Sequence, residues 1–116
     1  MSNVNLIKDL LKSLQFESNY KCQSTWIGHE QIANFLIKTI KPEIITELGV
    51  NAGFSYFTFC QTVHDHKLKT KCFGIDHWIG DHHTGFYDQK IYENVLEENK
   101  KYNHFSKLIK KISKMH

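Results

Sequence analysis

Arginine is absent, and all fifteen basic residues of this 116-residue chain are lysine. Bidentate reading of guanine and stacking on bases favour the guanidinium group, so the formal charge of +3 does not point to nucleic acid. Long apolar runs are also missing, which excludes a membrane-spanning helix. The first residues, MSNVNLIKDLLKSL, carry neither a basic leader nor a small-residue cleavage site. No signal peptide is expected, and the cytoplasm is the expected compartment. Cysteine is scarce: Cys22, Cys60 and Cys72 are odd in number and unrelated in spacing, and two lie in apolar runs. Reduced packing residues are expected, not a disulfide framework.

What is present suffices for one core. The chain is 41% hydrophobic and 13% aromatic, and its length suits one domain or part of one. Between Asn5 and Leu14, residues Leu6, Ile7, Leu10, Leu11 and Leu14 recur at helical spacing. A polar stretch follows. The segment HEQIANFLIKTI then predicts a second helix over about 28–39, with Ile32, Phe35, Leu36 and Ile40 on one face, closed by Lys41 and the single proline, Pro42. EIITELGV reads as a short buried strand. GFSYFTFCQTVHDH reads as a helix covered on several sides. Cys72 to Asp76 reads as a second buried strand, GDHHTG as a loop, and the residues from Tyr87 to about Asn103 as a helix. Strands alternating with helices imply a parallel α/β sheet with right-handed crossovers.

Gly49 and Gly53 stand where the first strand gives way to a helix. In α/β sheets, ligands settle beyond the carboxyl ends of the strands, where bare backbone and a helix N-terminus can meet them. Asp76 closes the second strand, and a carboxylate there can accept hydrogen bonds from ribose hydroxyls. The pair points to an adenosine-containing ligand. Asn51 and Phe54 occupy the second and third glycine positions of the dinucleotide fingerprint, which makes a poor pyrophosphate turn. Glu47 fits badly beside a diphosphate but well beside an amino-acid ammonium, which favours S-adenosylmethionine. A dinucleotide-binding half-domain is the weaker enzyme alternative.

ELGVNAGFSYFTFCQ, followed by FGIDHWIGDHHTGFYDQKIYENV, resembles the first half of class I S-adenosylmethionine-dependent methyltransferases, in particular a branch associated with glycosyltransferases and surface-sugar genes. The likeness runs from about Thr25 to about Ile112. It implies a Rossmann-like parallel sheet truncated to about three strands with flanking helices, in one partial domain: N-terminal helices over 1–40 and a donor-binding half over 41–116. By position, Glu47, Gly49 and Gly53 would line the methionine side of S-adenosyl-L-methionine, with Asn51 and Ser55 near the turn. Asp76 would hold the ribose, and His77 and Trp78 would lie by the adenosine. His82 and Thr84 stand where the family pattern has an acid and an alanine. The resemblance implies methyl transfer to a small-molecule acceptor, such as a sugar hydroxyl, with catalytic residues unassigned and this chain inactive alone. The expected partner is a second copy or a complementary C-terminal fragment, because the first strand would otherwise be an edge with an uncovered apolar face.

Plainer readings stand beside these. The glycines can be turn punctuation and Asp76 a cap. Trp26 and His29 are expected to pack and cap the second helix. A metal site built from His77, Asp81, His82 and His83 is not expected, because neighbouring loop histidines point apart. His64 and His66 face nearly opposite sides of a helix and read as solvated. Residues 105–116 conflict: Phe105, Leu108, Ile109 and Ile112 follow a helical period with lysines between them, whereas the family position implies a third strand. The strand is preferred, because two unpartnered helical turns are marginal in water. Two further classes stay open: a non-catalytic adenosine-binding module, and a basic interaction module acting through 105–116.

Overall fold

The computed structural model describes residues 3–22, 24, 26–78, 80–81, 85–86 and 89–111, without side chains at 80–81 and 85–86. Thr25, His82, His83, Thr84, Tyr87, Ile112 and Lys114 lie outside the described residues. Helices α1 (Asn3–Ser13) and α2 (Glu30–Ile40) precede strand β1 (Ile44–Leu48). Helix α3 (Phe54–Asp65) leads to β2 (Lys71–Asp76). A two-residue antiparallel pair, β3 (Gly80–Asp81) with β4 (Gly85–Phe86), frames the expected loop. Helix α4 (Gln89–Asn99) passes through a 3-10 turn, Lys100–Tyr102, into β5 (Ser106–Lys110).

The three longer strands form one parallel sheet in the order β1-β2-β5. This is the expected Rossmann-like arrangement of three strands with flanking helices. Residues 106–110 are therefore a strand, and the basic amphipathic helix is not formed there. In the register, Ile45, Cys72 and Ser106 lie side by side, as do Glu47, Gly74 and Leu108. Alternation then puts Ile44, Thr46 and Leu48 on the opposite face with Phe73, Ile75 and Ile109.

Helix α3 holds the core. Tyr56, Phe57, Cys60 and Val63 are buried on it, and so are the polar Thr58, Gln61 and Thr62. Ile37, Val50, Cys72, Trp78, Val95 and Tyr102 complete the cluster. Burying a side chain the size of Phe57 contributes about 1.5–3 kcal/mol. Val50 and Tyr56 pack within 3.1 Å of where a Cβ on Gly74 would stand, so mid-strand glycine lets helix and sheet approach. Buried hydroxyl groups bridge the elements, although Thr39 Oγ1 of α2 is buried without a partner. Tyr56 Oη lies 2.6 Å from Ser106 Oγ, which donates to Asn99 Oδ1, tying α3, β5 and α4 together.

Four expectations need correction. Helix α2 buries Ala33, Asn34 and Ile37, while Ile32, Leu36 and Ile40 of the expected apolar face are exposed. Hydrogen bonding sets that face: Asn34 accepts from Ser13 at 2.9 Å and donates to Thr62 at 3.0 Å, locking α1, α2 and α3 at one junction. The apolar residues of α1 are likewise exposed, and only Ser13 of that helix is buried. Strand β1 was expected to be buried, but it is covered on one face only, with Ile44 61% and Leu48 76% exposed. His29 sits at the N-cap of α2 without a side-chain cap bond, and Glu30 accepts the Gly28 N–H instead. Trp26 does pack, edge-on to Phe59 at 5.6 Å. All three cysteines are free thiols. No described helix is long and apolar enough to cross a membrane.

Candidate functional site

The chain leaves β1 through Gly49, Val50, Asn51, Ala52 and Gly53 before entering α3. Three of these five residues have positive φ: Gly49 at 81°, Asn51 at 57° and Gly53 at 97°. Left-handed backbone strains most side chains, so glycine and asparagine are the residues that hold this turn cheaply. The two glycines differ in what surrounds them. A Cβ on Gly53 would stand 2.7 Å from the Phe57 ring, so this position serves packing of the first turn of α3. A Cβ on Gly49 would meet nothing within 4 Å. Gly49 therefore faces open space at the carboxyl end of the sheet.

Asp76 meets the turn at that same end. Its Oδ2 accepts the Asn51 N–H at 2.8 Å and its Oδ1 accepts the Trp78 N–H at 2.9 Å. The Gly49 N–H donates to the Ile75 carbonyl at 2.8 Å, continuing the β1–β2 ladder into the turn. The capping reading of Asp76 is thus realised, with the carboxylate fixing the turn across two strands. A carboxylate has about four lone-pair sites, so two backbone donors leave acceptor capacity on each oxygen.

Glu47 adds a second acid below the turn. Ser55 Oγ donates to its Oε2 at 2.7 Å, while Oε1 is buried without a partner. Burial pushes its pKa up to about 7; the Ser55 hydrogen bond opposes the rise and the nearby Asp76 charge adds to it. A buried carboxyl oxygen with no donor is the atom that a cation would satisfy.

The remaining expected residues divide. His77 is partly exposed, with Nδ1 3.6 Å from Asp76 Oδ1. Trp78 is buried in the core at a positive φ of 54°, its Nε1 donating to the Asn51 carbonyl at 3.0 Å. Its ring contacts Tyr92 at 4.9 Å, and Lys110 Nζ stands 4.5 Å from the Tyr92 ring centroid. Glu47, Gly49, Asn51, Gly53, Ser55, Asp76, His77 and Trp78 thus gather at one end of the sheet. Two neighbours were missed. Cys22, read only as packing, brings its thiol 3.8 Å from the Ala52 carbonyl, and Lys111 donates its N–H to the Asp76 carbonyl at 2.9 Å. Only the strand reading of 106–110 carried a signal for Lys111. No cluster of three or more metal-binding side chains occurs among the described residues.

The chain is similar to the uncharacterized protein y4gI of Sinorhizobium fredii, with 44% identity over 88 residues, which are 76% of this chain and 10% of that protein. It also superposes on the crystal structure of SAH-bound methyltransferase PaMTH1 from Podospora anserina, with a TM-score of 0.51 and 20% identity. That match covers 94% of this chain and 42% of the other, and it shows the shared fold. The chain therefore spans about a tenth of the curated relative and less than half of the solved one. Residues 46–115, running from β1 past β5, match the family described as a methyltransferase domain, and the chain belongs to that family.

Proposed function

We propose that this chain binds S-adenosyl-L-methionine at the turn between β1 and α3 and forms the donor-binding half of a class I methyltransferase acting on a small-molecule hydroxyl, such as that of a sugar. The observation that carries this reading is the orphaned Oε1 of Glu47, a buried carboxyl oxygen beneath a turn whose Gly49 faces open space. The donor's ammonium would give that oxygen its missing partner. Gly49 would let the methionine part approach the backbone, with Asn51 and Ser55 beside it, while Gly53 packs against Phe57. Asp76, already oriented by two N–H groups, would accept from the ribose hydroxyls, and His77 would border the adenosine, whereas Trp78, expected there too, is buried in the core and holds the Asn51 carbonyl.

When bound, the donor supplies a sulfonium-activated methyl group for in-line displacement. The residues of this chain contribute orientation and exclusion of water, because alignment of acceptor and methyl accounts for much of the rate in such a transfer. Residues 1–40 form the helical N-terminal part and 41–116 the donor-binding part, and the cytoplasm is the proposed compartment. The partner is a complementary segment carrying further strands and helices, which would cover the bare face of Ile44, Leu48 and Ile109. The match to only 42% of the solved relative's length supports that choice.

Calorimetry with S-adenosylhomocysteine, run beside a methyl-transfer assay on sugar acceptors, tests the reading. Binding that is lost in Asp76→Ala supports it. Binding of NAD in preference to the nucleoside, or no nucleoside binding with or without a complementary segment, overturns it. Binding without turnover in the completed protein would identify a non-catalytic module.

A further inference from the structure

A cleft lies at the other end of the sheet. It has a volume of about 680 Å³ and is bounded by the ends of α1 and α2 and by the connections entering β1 and β2. Two hydrogen bonds tie its floor together: Thr70 Oγ1 donates to the Pro42 carbonyl at 2.5 Å, and the Lys71 N–H donates to the Glu43 carbonyl at 2.9 Å. Five lysines line it, Lys12, Lys38, Lys41, Lys67 and Lys69, and none of them forms an ion pair with a described residue. From the carboxyl ends of β1 and β2, where Gly49 and Asp76 stand, this cleft is a full strand length away, roughly 17–20 Å at about 3.3 Å per residue.

Helix C-termini attract lysine, and α1, α2 and α3 all end here, so the ordinary explanation is charge compensation. Magnitudes decide against that as the whole account. Three helix ends supply about half a negative charge each. Asp9 and Glu43 add two carboxylates. Five lysines exceed that sum by roughly one to two positive charges. Two of them also sit where lysine is a poor choice. Lys41 and Lys67 have φ of 52° and 51°, in the left-handed region that glycine normally fills after a helix. The backbone thus holds two cations at the rim at a conformational cost of roughly 1–2 kcal/mol each. Lys38 is partly buried, and its pKa is lowered by burial, with Asp9 opposing and Lys12 reinforcing the shift.

We propose that this cleft is an anion site for a single phosphate group, either free phosphate or a phosphate monoester, separate from the donor site. An excess of one to two charges matches a phosphate dianion. It does not match a nucleic-acid strand, which needs a longer basic track and is favoured by arginine.

The test titrates the full chain at low salt with inorganic phosphate and with phenyl phosphate, following backbone amide shifts by NMR. Saturable shifts are expected at Lys41, Leu68 and Thr70, with Gly49 and Asn51 unmoved, and affinity should fall about tenfold between 20 and 200 mM salt. Tighter binding of phenyl phosphate identifies a monoester, and equal binding identifies free phosphate. The Lys41→Gly/Lys67→Gly double variant should lose at least about tenfold in affinity without losing thermal stability, because glycine suits both backbones. Lys41→Arg/Lys67→Arg, which keeps the charges, should retain binding. Absence of saturable binding, shifts centred on Gly49–Gly53, full affinity in the glycine variant, or tighter binding of a DNA oligonucleotide at the same residues would each overturn the proposal.

Discussion

Asp76 Oδ2 accepts the backbone N–H of Asn51 at 2.8 Å, so the end of β2 fixes the conformation of the turn that follows β1. Asp76→Ala removes the acceptor of two N–H groups at once. Leaving a buried donor unpaired costs about 1–3 kcal/mol, and the Asn51 N–H is only partly buried, so an overall loss of about 2–4 kcal/mol is expected by urea denaturation. Nucleoside binding should disappear by calorimetry even at temperatures where the variant remains folded. Retention of wild-type affinity would detach Asp76 from the ligand and leave it only as a fastener of the turn.

Glu47 gives a pH signature with two opposite signs. Its pKa is raised to about 7, so between about pH 4.5 and 7 the folded state holds more of this proton than the unfolded state does. Its contribution to stability is therefore fully present below the unfolded pKa and is lost as pH rises through 7. Discounted for partial exposure, the change is about 1–3 kcal/mol. Glu47→Gln should flatten this dependence and be more stable than wild type at pH 8. Donor affinity should move the other way, rising with pH as the carboxylate forms, because a cationic ammonium prefers the charged partner. Calorimetric titrations at pH 5.5 and 8 measure this, and equal affinities at the two pH values would remove the ammonium from Glu47.

The two glycines of the turn should separate in the same pair of measurements. Gly53→Ala drives a methyl group into the Phe57 ring at a positive φ, so a destabilisation of about 2–4 kcal/mol is expected. Gly49→Ala meets no neighbouring atom and carries only backbone strain, about 1 kcal/mol. Its methyl group nevertheless projects into the space assigned to the donor. Nucleoside affinity should therefore fall further in Gly49→Ala than its small stability loss explains, and equal losses of both in the two variants would contradict the open-space reading.

The residues of the turn and Asp76 were legible because their chemistry is local. A glycine at a strand end and an acid closing the next strand need only the order of elements to be placed at one end of a parallel sheet. The alternation of strands and helices, and the strand at 106–110, followed from the same order combined with the resemblance. Burial was less legible. Ile32, Leu36 and Ile40 have the right spacing for a core stripe, yet the buried face of α2 is fixed by Asn34, whose partners Ser13 and Thr62 lie 21 and 28 residues away. Helical periodicity registers side-chain type but not long-range hydrogen bonds. Cys22 was missed for a similar reason, since nothing in a polar stretch 30 residues upstream indicates that it folds back over Ala52. The basic cleft was also invisible: its lysines come from four separate segments, and only the folded chain collects them.

The uncovered face of the sheet yields a prediction about partners. Ile44 and Leu48 are the most exposed large apolar residues of β1, and the register places them with Phe73, Ile75 and Ile109 on one continuous surface. Exposed side chains contribute little to the stability of the isolated chain, so Ile44→Thr with Leu48→Lys should change it by less than about 1 kcal/mol. The surface itself is a driver of association, because contiguous apolar patches beside an open strand edge recruit other chains. Sedimentation velocity should show concentration-dependent self-association for the wild type and a monomer for the double variant. A complementary segment supplied in trans should bind the wild type, suppress that association, and fail to bind the variant. A wild-type chain that stays monomeric at high concentration and ignores such a segment would mean that the face is stable in water, and the proposal that this chain is one half of a larger sheet would lose its physical basis.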